Sequence, residues 1–311
     1  MSQQEFHSNG KLLITGEYLV IQGGLALALP TKFGQKLVIE DYSDEHALIH
    51  WRTWIKDRLW FEGDFSTPDF KVLKTNNTEV ANRLSQYLIE IIALNPNFID
   101  STKYYKVNST MDFDAEWGLG SSSSLISNLA YWAKLDPYDL HARVSKGSGY
   151  DIACSRSKSP LLYRISDDKK PKVKEIAFNP PFKNNLYFVY SGQKQDSEAS
   201  VAEYLNNQKP GTGGYLKKLE SITTKILDCG QLNEFEKLIT EHEEMIGKLI
   251  GQKPVKAKKY PDFAGEIKSL GAWGGDFLLV SWKGDRKELE DYFSGQGLDI
   301  LFAYDEIIKN A

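Results

Sequence analysis

The residues whose types and spacing best suit chemistry are Trp117-Gly-Leu-Gly-Ser-Ser-Ser-Ser124, a glycine-containing turn that runs through four hydroxyl side chains into an apolar-periodic helix. Such a segment builds a phosphate cradle. Gly118 and Gly120 allow positive φ and close approach of the backbone to an anion, while the following helix offers unpaired N–H groups and the positive end of its dipole. Leu125, Leu129, Trp132 and Ala133 recur at helical spacing, so one face is buried while the first turn stays open to a ligand. Taken alone, such a segment is more often an ordinary turn with a serine N-cap than a nucleotide site. It is not a P-loop, because no Gly-Lys-Ser/Thr ending is present, and a cation must come from elsewhere.

Two further segments supply charge. Asn9-Gly-Lys-Leu-Leu-Ile-Thr-Gly-Glu-Tyr18 reads as a short strand carrying Lys11 and ending at Gly16. It is followed by a Gly23-Gly24 turn and an apolar strand over Leu25 to Leu29. Lys146-Gly-Ser-Gly-Tyr-Asp-Ile-Ala153 places Asp151 just after a Gly-Ser-Gly turn. Gly-rich loops that bring one lysine, one aspartate and a serine cluster form a phosphoryl-transfer constellation.

These segments resemble the GHMP family of small-molecule kinases, named for galactokinase, homoserine kinase, mevalonate kinase and phosphomevalonate kinase. Gly10-Lys11 through Gly16-Glu17-Tyr18 is similar to the family's first motif. Gly118 to Ser122 matches its Gly-Leu-Gly-Ser-Ser motif, and Ser148-Gly149-Tyr150-Asp151 resembles the segment that carries its catalytic aspartate. Gly271-Ala272-Trp273-Gly274-Gly275-Asp276 is similar to its third, glycine-rich motif. Tyr18 and the Gly-Gly-Asp ending look more like phosphomevalonate kinases than mevalonate kinases.

The resemblance implies an α+β fold of two domains: an N-terminal ribosomal-protein-S5-like ATP-binding domain over 1–170 and a C-terminal ferredoxin-like domain over 171–311, with the active site in a cleft. It implies ATP and Mg²⁺ as cofactors and a small-molecule acceptor, mevalonate or phosphomevalonate, with a second copy of the chain as a candidate partner. By the same matching, Asp151 orients or deprotonates the acceptor hydroxyl and Lys11 balances charge on the aspartate and the acceptor oxygen. Gly118, Leu119, Gly120, Ser121, Ser122 and Ser123 hold the nucleotide, and Ser122 supplies the hydroxyl on the metal side. Glu17, Tyr18, Ser148, Gly149, Lys194, Ser197, Gly271, Gly274 and Gly275 are the candidate substrate contacts, with Glu17 also suited to brace the loop.

Two departures stand out. Trp273 replaces a small residue of the third motif, where an indole would narrow the site or press on the phosphate loop. The glutamate by which some relatives bind magnesium has no counterpart in Tyr138-Asp-Leu-His-Ala-Arg-Val144, leaving Asp139, water or Ser122 to complete the shell. An ATP-dependent diphosphomevalonate decarboxylase, a sugar kinase and a non-catalytic ATP-binding sensor are the alternatives. The decarboxylases often lack the lysine found here as Lys11.

Composition narrows the class. At 311 residues the chain exceeds the size at which one core usually keeps growing. Its 38 basic and 42 acidic residues, net −4, offer no global attraction to nucleic acid or an anionic membrane. Cys154 and Cys229 are too few for a disulfide scaffold. The hydrophilic start and the lack of a run of about 20 apolar residues point to a cytoplasmic protein without a membrane span.

The elements that must position these residues follow from periodicity. Strands are expected at Lys36 to Glu40, Ala47 to Trp54, Arg58 to Phe61, Tyr104 to Thr110, Leu161 to Ile165, Leu186 to Tyr190, Gly275 to Ser281 and Asp299 to Ala303. Helices are expected from an N-cap at Thr78, over Tyr215 to Asp228, Asn233 to Ile250, Phe263 to Leu270 and Lys287 to Phe293. Ser166 to Pro171 reads as the connector between domains, and Lys253 to Lys259 as a solvated basic loop or a guide for a phosphorylated substrate. His7 and His141 lack a metal or triad context and read as polar or packing residues. Trp60, Trp117 and Tyr131 read as core, or as walls of the adenine or acceptor pockets.

Overall fold

The computed structural model describes residues 2–43, 47–207, 213–273 and 275–310. The chain begins with β1 (Ser2–Thr15), β2 (Ala26–Ser43), β3 (Leu48–Ile55), β4 (Arg58–Ser66) and β5 (Val72–Thr75). Helix α1 (Thr78–Leu94) and strand β6 (Lys103–Met111) come next, then α2 (Ser121–Trp132), α3 (Pro137–Val144) and α4 (Tyr150–Arg156). Strands β7 (Leu161–Ile165), β8 (Pro171–Glu175) and β9 (Leu186–Tyr190) lead to α5 (Ser197–Asn206), α6 (Gly213–Asp228), α7 (Leu232–Ile250) and α8 (Val255–Lys259). The last elements are β10 (Ile267–Ser269), β11 (Phe277–Ser281), α9 (Arg286–Ser294), β12 (Leu301–Ala303) and α10 (Tyr304–Ile307). The architecture is mixed α+β.

Two compact units result, and they interleave along the chain. One holds Met1–Gly10, Phe33–Ala115 and Gly120–Arg156, and the other Lys11–Lys32, Glu116–Leu119 and Ser157–Ala311. This differs from the expected single boundary near residue 170. The long strands β1 and β2 each contribute to both units, and Ser166 to Pro171 is the turn of the β7–β8 hairpin, whose ends pair Ile165 with Pro171.

In the first unit, strands run in the order β5-β4-β3-β6-β2, with β3 parallel to β6 and the other pairs antiparallel. Period-2 alternation decides which face is buried: Ile49, Trp51, Thr53 and Ile55 of β3 point inward. Helix α1 closes over them with Ala81, Leu84, Leu88 and Ile91, spaced by three and four residues along one stripe. Its N-cap is Asn77, one residue before the expected Thr78, and the Asn77 side chain accepts from the Val80 N–H at 3.2 Å. Helix α2 is seated by polar groups: Asn128 donates to the Gln35 carbonyl at 2.9 Å, and Ser8 donates to Asn128 at 2.7 Å.

In the second unit, β10-β11-β9-β12 form an antiparallel sheet, and Val189, Leu278 and Val280 pack with Leu289 and Phe293 of α9. The expected helix over Phe263 to Leu270 is instead loop and the short strand β10, with Ile267 opposite Val280. Phe263, Ile267 and Leu270 are buried at spacings that imitate a helix, but Lys268 and Ser269 between them are buried too, so the segment is covered on both faces, which an amphipathic helix forbids. The stretch read as a basic loop ends in the short helix α8, where Lys256 pairs with Glu266 at 2.9 Å.

Leu88 is fully enclosed in the first unit. Leu88→Ala should lower unfolding free energy by about 2–5 kcal/mol, measured by urea titration at constant m-value.

Candidate active site

The four serines at the start of α2 are divided by the fold. Gly120 precedes the helix at φ 89° and, having no side chain, leaves the first turn without a side-chain cap. Ser123 donates back to the Gly120 carbonyl at 2.9 Å, and Ser124 donates to Gln35 at 2.9 Å. Ser122 is the exposed one. The structure thus keeps Ser122 open to a ligand and spends two neighbouring hydroxyls on packing.

Asp151 lies in the first turn of α4, a helix absent from the sequence expectations because its apolar run, Ile152, Ala153 and Cys154, is only one turn long. Gly149 before it adopts φ 82°, and Ser148 accepts from the Tyr150 N–H at 3.4 Å. The Asp151 carboxylate is half-buried and accepts from the Ile152 N–H at 3.0 Å. Asp139 is exposed in the first turn of α3.

In the second unit, Lys11 is joined twice to the glycine loop. Its N–H donates to the Leu119 carbonyl at 2.9 Å, and its Nζ donates to the Gly118 carbonyl at 2.7 Å. Gly118 sits at φ 68°, and a Cβ there would fall 2.2 Å from the Asp276 carboxylate. No side chain fits at 118.

Asp276 itself is 4% exposed and sits in the left-handed region at φ 55°. Burial pushes its carboxyl up, while Lys11, the Gln195 N–H and Lys194 pull it back. Its backbone N–H donates to Gln193 at 2.7 Å, its carbonyl accepts from Ser191 at 2.8 Å and its Oδ1 accepts from Gln195 at 3.2 Å. Gly275 makes this approach feasible, since a Cβ there would meet the Gln193 carbonyl at 2.6 Å. Sequence reasoning used Asp276 only as a family marker; the signal for its role was an acid directly after two glycines.

Other expected residues fall as follows. Lys194 is exposed, 3.9 Å from Glu116. Ser197 is the exposed first residue of α5, capped by Asp196. Gly271 adopts φ 73°, and Gly274 lies outside the described residues. Trp117 packs among Tyr190, Phe277 and Phe302, and Trp60 lies against the first unit's core. Tyr131 is exposed beneath the Arg156 guanidinium at 3.1 Å, while His141 is buried and His7 exposed.

No family model and no curated protein matches the chain. Solved structures do. A mevalonate kinase from Methanococcus jannaschii has a TM-score of 0.67, 18% identity and coverage of 97% of each chain. A Streptococcus pneumoniae phosphomevalonate kinase in complex with phosphomevalonate and AMPPNP has a TM-score of 0.67 and 16% identity, covering 96% of this chain and 99% of that one. A Lactococcus lactis galactokinase complexed with galactose has a TM-score of 0.67 at 12% identity, covering 99% and 94%. The chain has the GHMP kinase fold.

Within this GHMP fold, Glu17 is an interior residue. It is 1% exposed and forms an ion pair with the fully buried Lys268, with His242 Nε2 at 3.4 Å. Lys268 also donates to the Ser269 carbonyl at 2.7 Å, and the Gly16 N–H donates to His242 Nε2 at 3.2 Å. These contacts make Glu17 a brace of the Gly16-Glu17-Tyr18 turn, with its carboxylate turned to protein groups. Lys268 and His242 were not foreseen; the one signal was a lysine between Ile267 and Ser269-Leu270, just ahead of the third motif. Tyr18 follows at φ 63° with its ring 5.2 Å from that of Tyr204, and its hydroxyl accepts from the Trp273 N–H at 3.2 Å. The Trp273 indole is buried and reaches toward Gly247 of α7, where an added Cβ would meet it at 3.3 Å.

Burial raises the Glu17 carboxyl to about 7, outweighing the pull of Lys268. The same burial holds His242 neutral, well below its usual range. A raised carboxyl binds its proton more tightly folded than unfolded, so stability from this group is complete below its unfolded pKa and declines as pH rises toward 7. The wild type should therefore lose stability relative to Glu17→Gln as pH rises from about 4.5 to about 8, whatever offset the loss of the Lys268 partner sets between the two proteins. Denaturant midpoints of both proteins across that range check this.

Proposed function

We propose that the protein is an ATP- and Mg²⁺-dependent small-molecule kinase that transfers the γ-phosphoryl group to mevalonate or phosphomevalonate. The observation that carries the reading is Lys11, bound through its ammonium to the Gly118 carbonyl of the glycine loop. That contact sets a fixed cation beside a backbone cradle. It supports a kinase over the decarboxylase alternative, whose members often lack this lysine. The Gly-Gly-Asp ending and Tyr18 favour the phosphomevalonate side, and the Streptococcus pneumoniae neighbour binds phosphomevalonate and AMPPNP.

The residues fit a nucleotide and its metal. The first turn of α2, which Gly120 leaves without a side-chain cap, suits backbone approach to phosphate, and the exposed Ser122 hydroxyl suits a hard cation. Among the described residues no cluster of three or more acidic, histidine or cysteine side chains is arranged to hold a metal. Mg²⁺ would be carried in on phosphate oxygens and completed by Ser122 and water, since Mg²⁺ commonly keeps several waters. When bound, the metal neutralises phosphate charge. Ser122 and the first N–H groups of α2 hold the phosphates, Asp151 orients the acceptor hydroxyl and accepts its proton, and Lys11 balances charge on the acceptor oxygen. Ser148 and Gly149 shape the turn that presents Asp151. Lys194 and Ser197, both exposed, are the proposed contacts for an acidic acceptor. Among the described residues no helix is long and apolar enough to cross a membrane.

Asp151→Asn should lower kcat by about 10²–10⁴-fold and leave ATP affinity within a few-fold, because the carboxylate acts chiefly in the transition state. ADP release in the presence of mevalonate, phosphomevalonate, diphosphomevalonate, galactose or homoserine, with product masses, checks both the reaction and the acceptor. A product gaining one phosphoryl group supports the proposal, and loss of CO₂ replaces it with the decarboxylase.

A further inference from the structure

We propose that Asp276 is a positioning residue that fixes the Lys11 ammonium on the Gly118 carbonyl and links both to the segment carrying Lys194. The inference rests on the kinase reading and goes beyond it, because neither the motif roles nor the fold assigns this carboxylate a task.

Three features converge on Asp276 within one unit. Its carboxylate is set against Gly118 so closely that any side chain at 118 would displace it. The Lys11 ammonium is bound to the carbonyl of that same glycine. The Ser191–Gln195 segment, with Lys194 in it, is clasped to Asp276 through the Asp276 N–H, carbonyl and Oδ1. The carboxylate's charge attracts Lys11 and, more weakly, Lys194, whereas a neutral group would only preserve the backbone clasp.

The choice of residue argues for that charge. Packing alone asks here for a short acceptor that tolerates a left-handed backbone, and asparagine meets that demand without a buried carboxylate. An aspartate costs stability through desolvation at this 4%-exposed position. A residue that the fold does not need in ionised form, set against the glycine whose carbonyl holds Lys11, is best explained by what it does to that lysine.

Asp276→Asn separates the two roles, since its Oδ1 still accepts the Gln195 N–H. The expected result is a melting temperature equal to or above wild type, an ATP KM within about threefold, and a kcat lowered roughly 10- to 100-fold, the scale on which misplacement of catalytic groups is felt. A second readout does not need turnover. The Leu119 amide ¹⁵N resonance reports the hydrogen bond on the Gly118 carbonyl, and it should move in Asp276→Asn in the same direction as in Lys11→Met. Unchanged kcat together with an unmoved Leu119 resonance overturns the proposal. If the wild type transfers no phosphoryl group to any acceptor, the kinase reading fails, and the Leu119 shift still decides whether Asp276 holds Lys11.

Discussion

The second unit is organised around one buried ion pair, Glu17 with Lys268. Glu17 belongs to the turn that ends β1, Lys268 to β10, and His242 on α7 completes the contact by accepting the Gly16 N–H. Charges withdrawn from water at this depth lose much solvation, and one partner does not recover all of it. The raised Glu17 carboxyl is the sign of that imbalance. Such a pair is a poor stabiliser and a good locator, because each charge has one favourable place to be. Apolar residues of similar volume would fill the space without specifying which turn meets which strand.

The same logic recurs at the glycine loop, where close approach is bought with missing side chains. Gly118 and Gly275 each leave room that a methyl group would fill, one for the Asp276 carboxylate and one for the Gln193 carbonyl. Polar groups brought that near need defined partners, and Lys11 and the Gln195 N–H provide them. In the first unit, Ser123 and Ser124 are consumed by the packing of α2, which is why Ser122 alone of the last three hydroxyls faces outward.

The GHMP fold by itself leaves the acceptor open, since its solved examples include kinases of mevalonate, phosphomevalonate and galactose. Function on a shared fold is decided by the side chains set on it. The side chains proposed for that role here are a lysine tied to the glycine loop and an aspartate at the start of a short helix, while Trp273 is turned into the interior against α7. The inward turn of Trp273 removes the reason to expect a bulky residue pressing on the phosphate loop.

The sequence by itself determined what depends on near neighbours. The glycine turn before α2, the amphipathic stripes of α1, α6 and α7, and strands such as Leu161–Ile165 and Leu186–Tyr190 all follow from local spacing. The tertiary structure decided what depends on distant partners. Phe263 to Leu270 has helical spacing yet becomes loop and strand, because β11 offers ladder partners and Glu17, 251 residues away, offers Lys268 a counter-charge. The interleaved units arise likewise, from two strands long enough to serve both. Asp276 reads in sequence as the end of a glycine motif and in space as the neighbour of Gly118. Periodicity records which face of an element is apolar, whereas the partner of a buried charge is chosen by the whole fold.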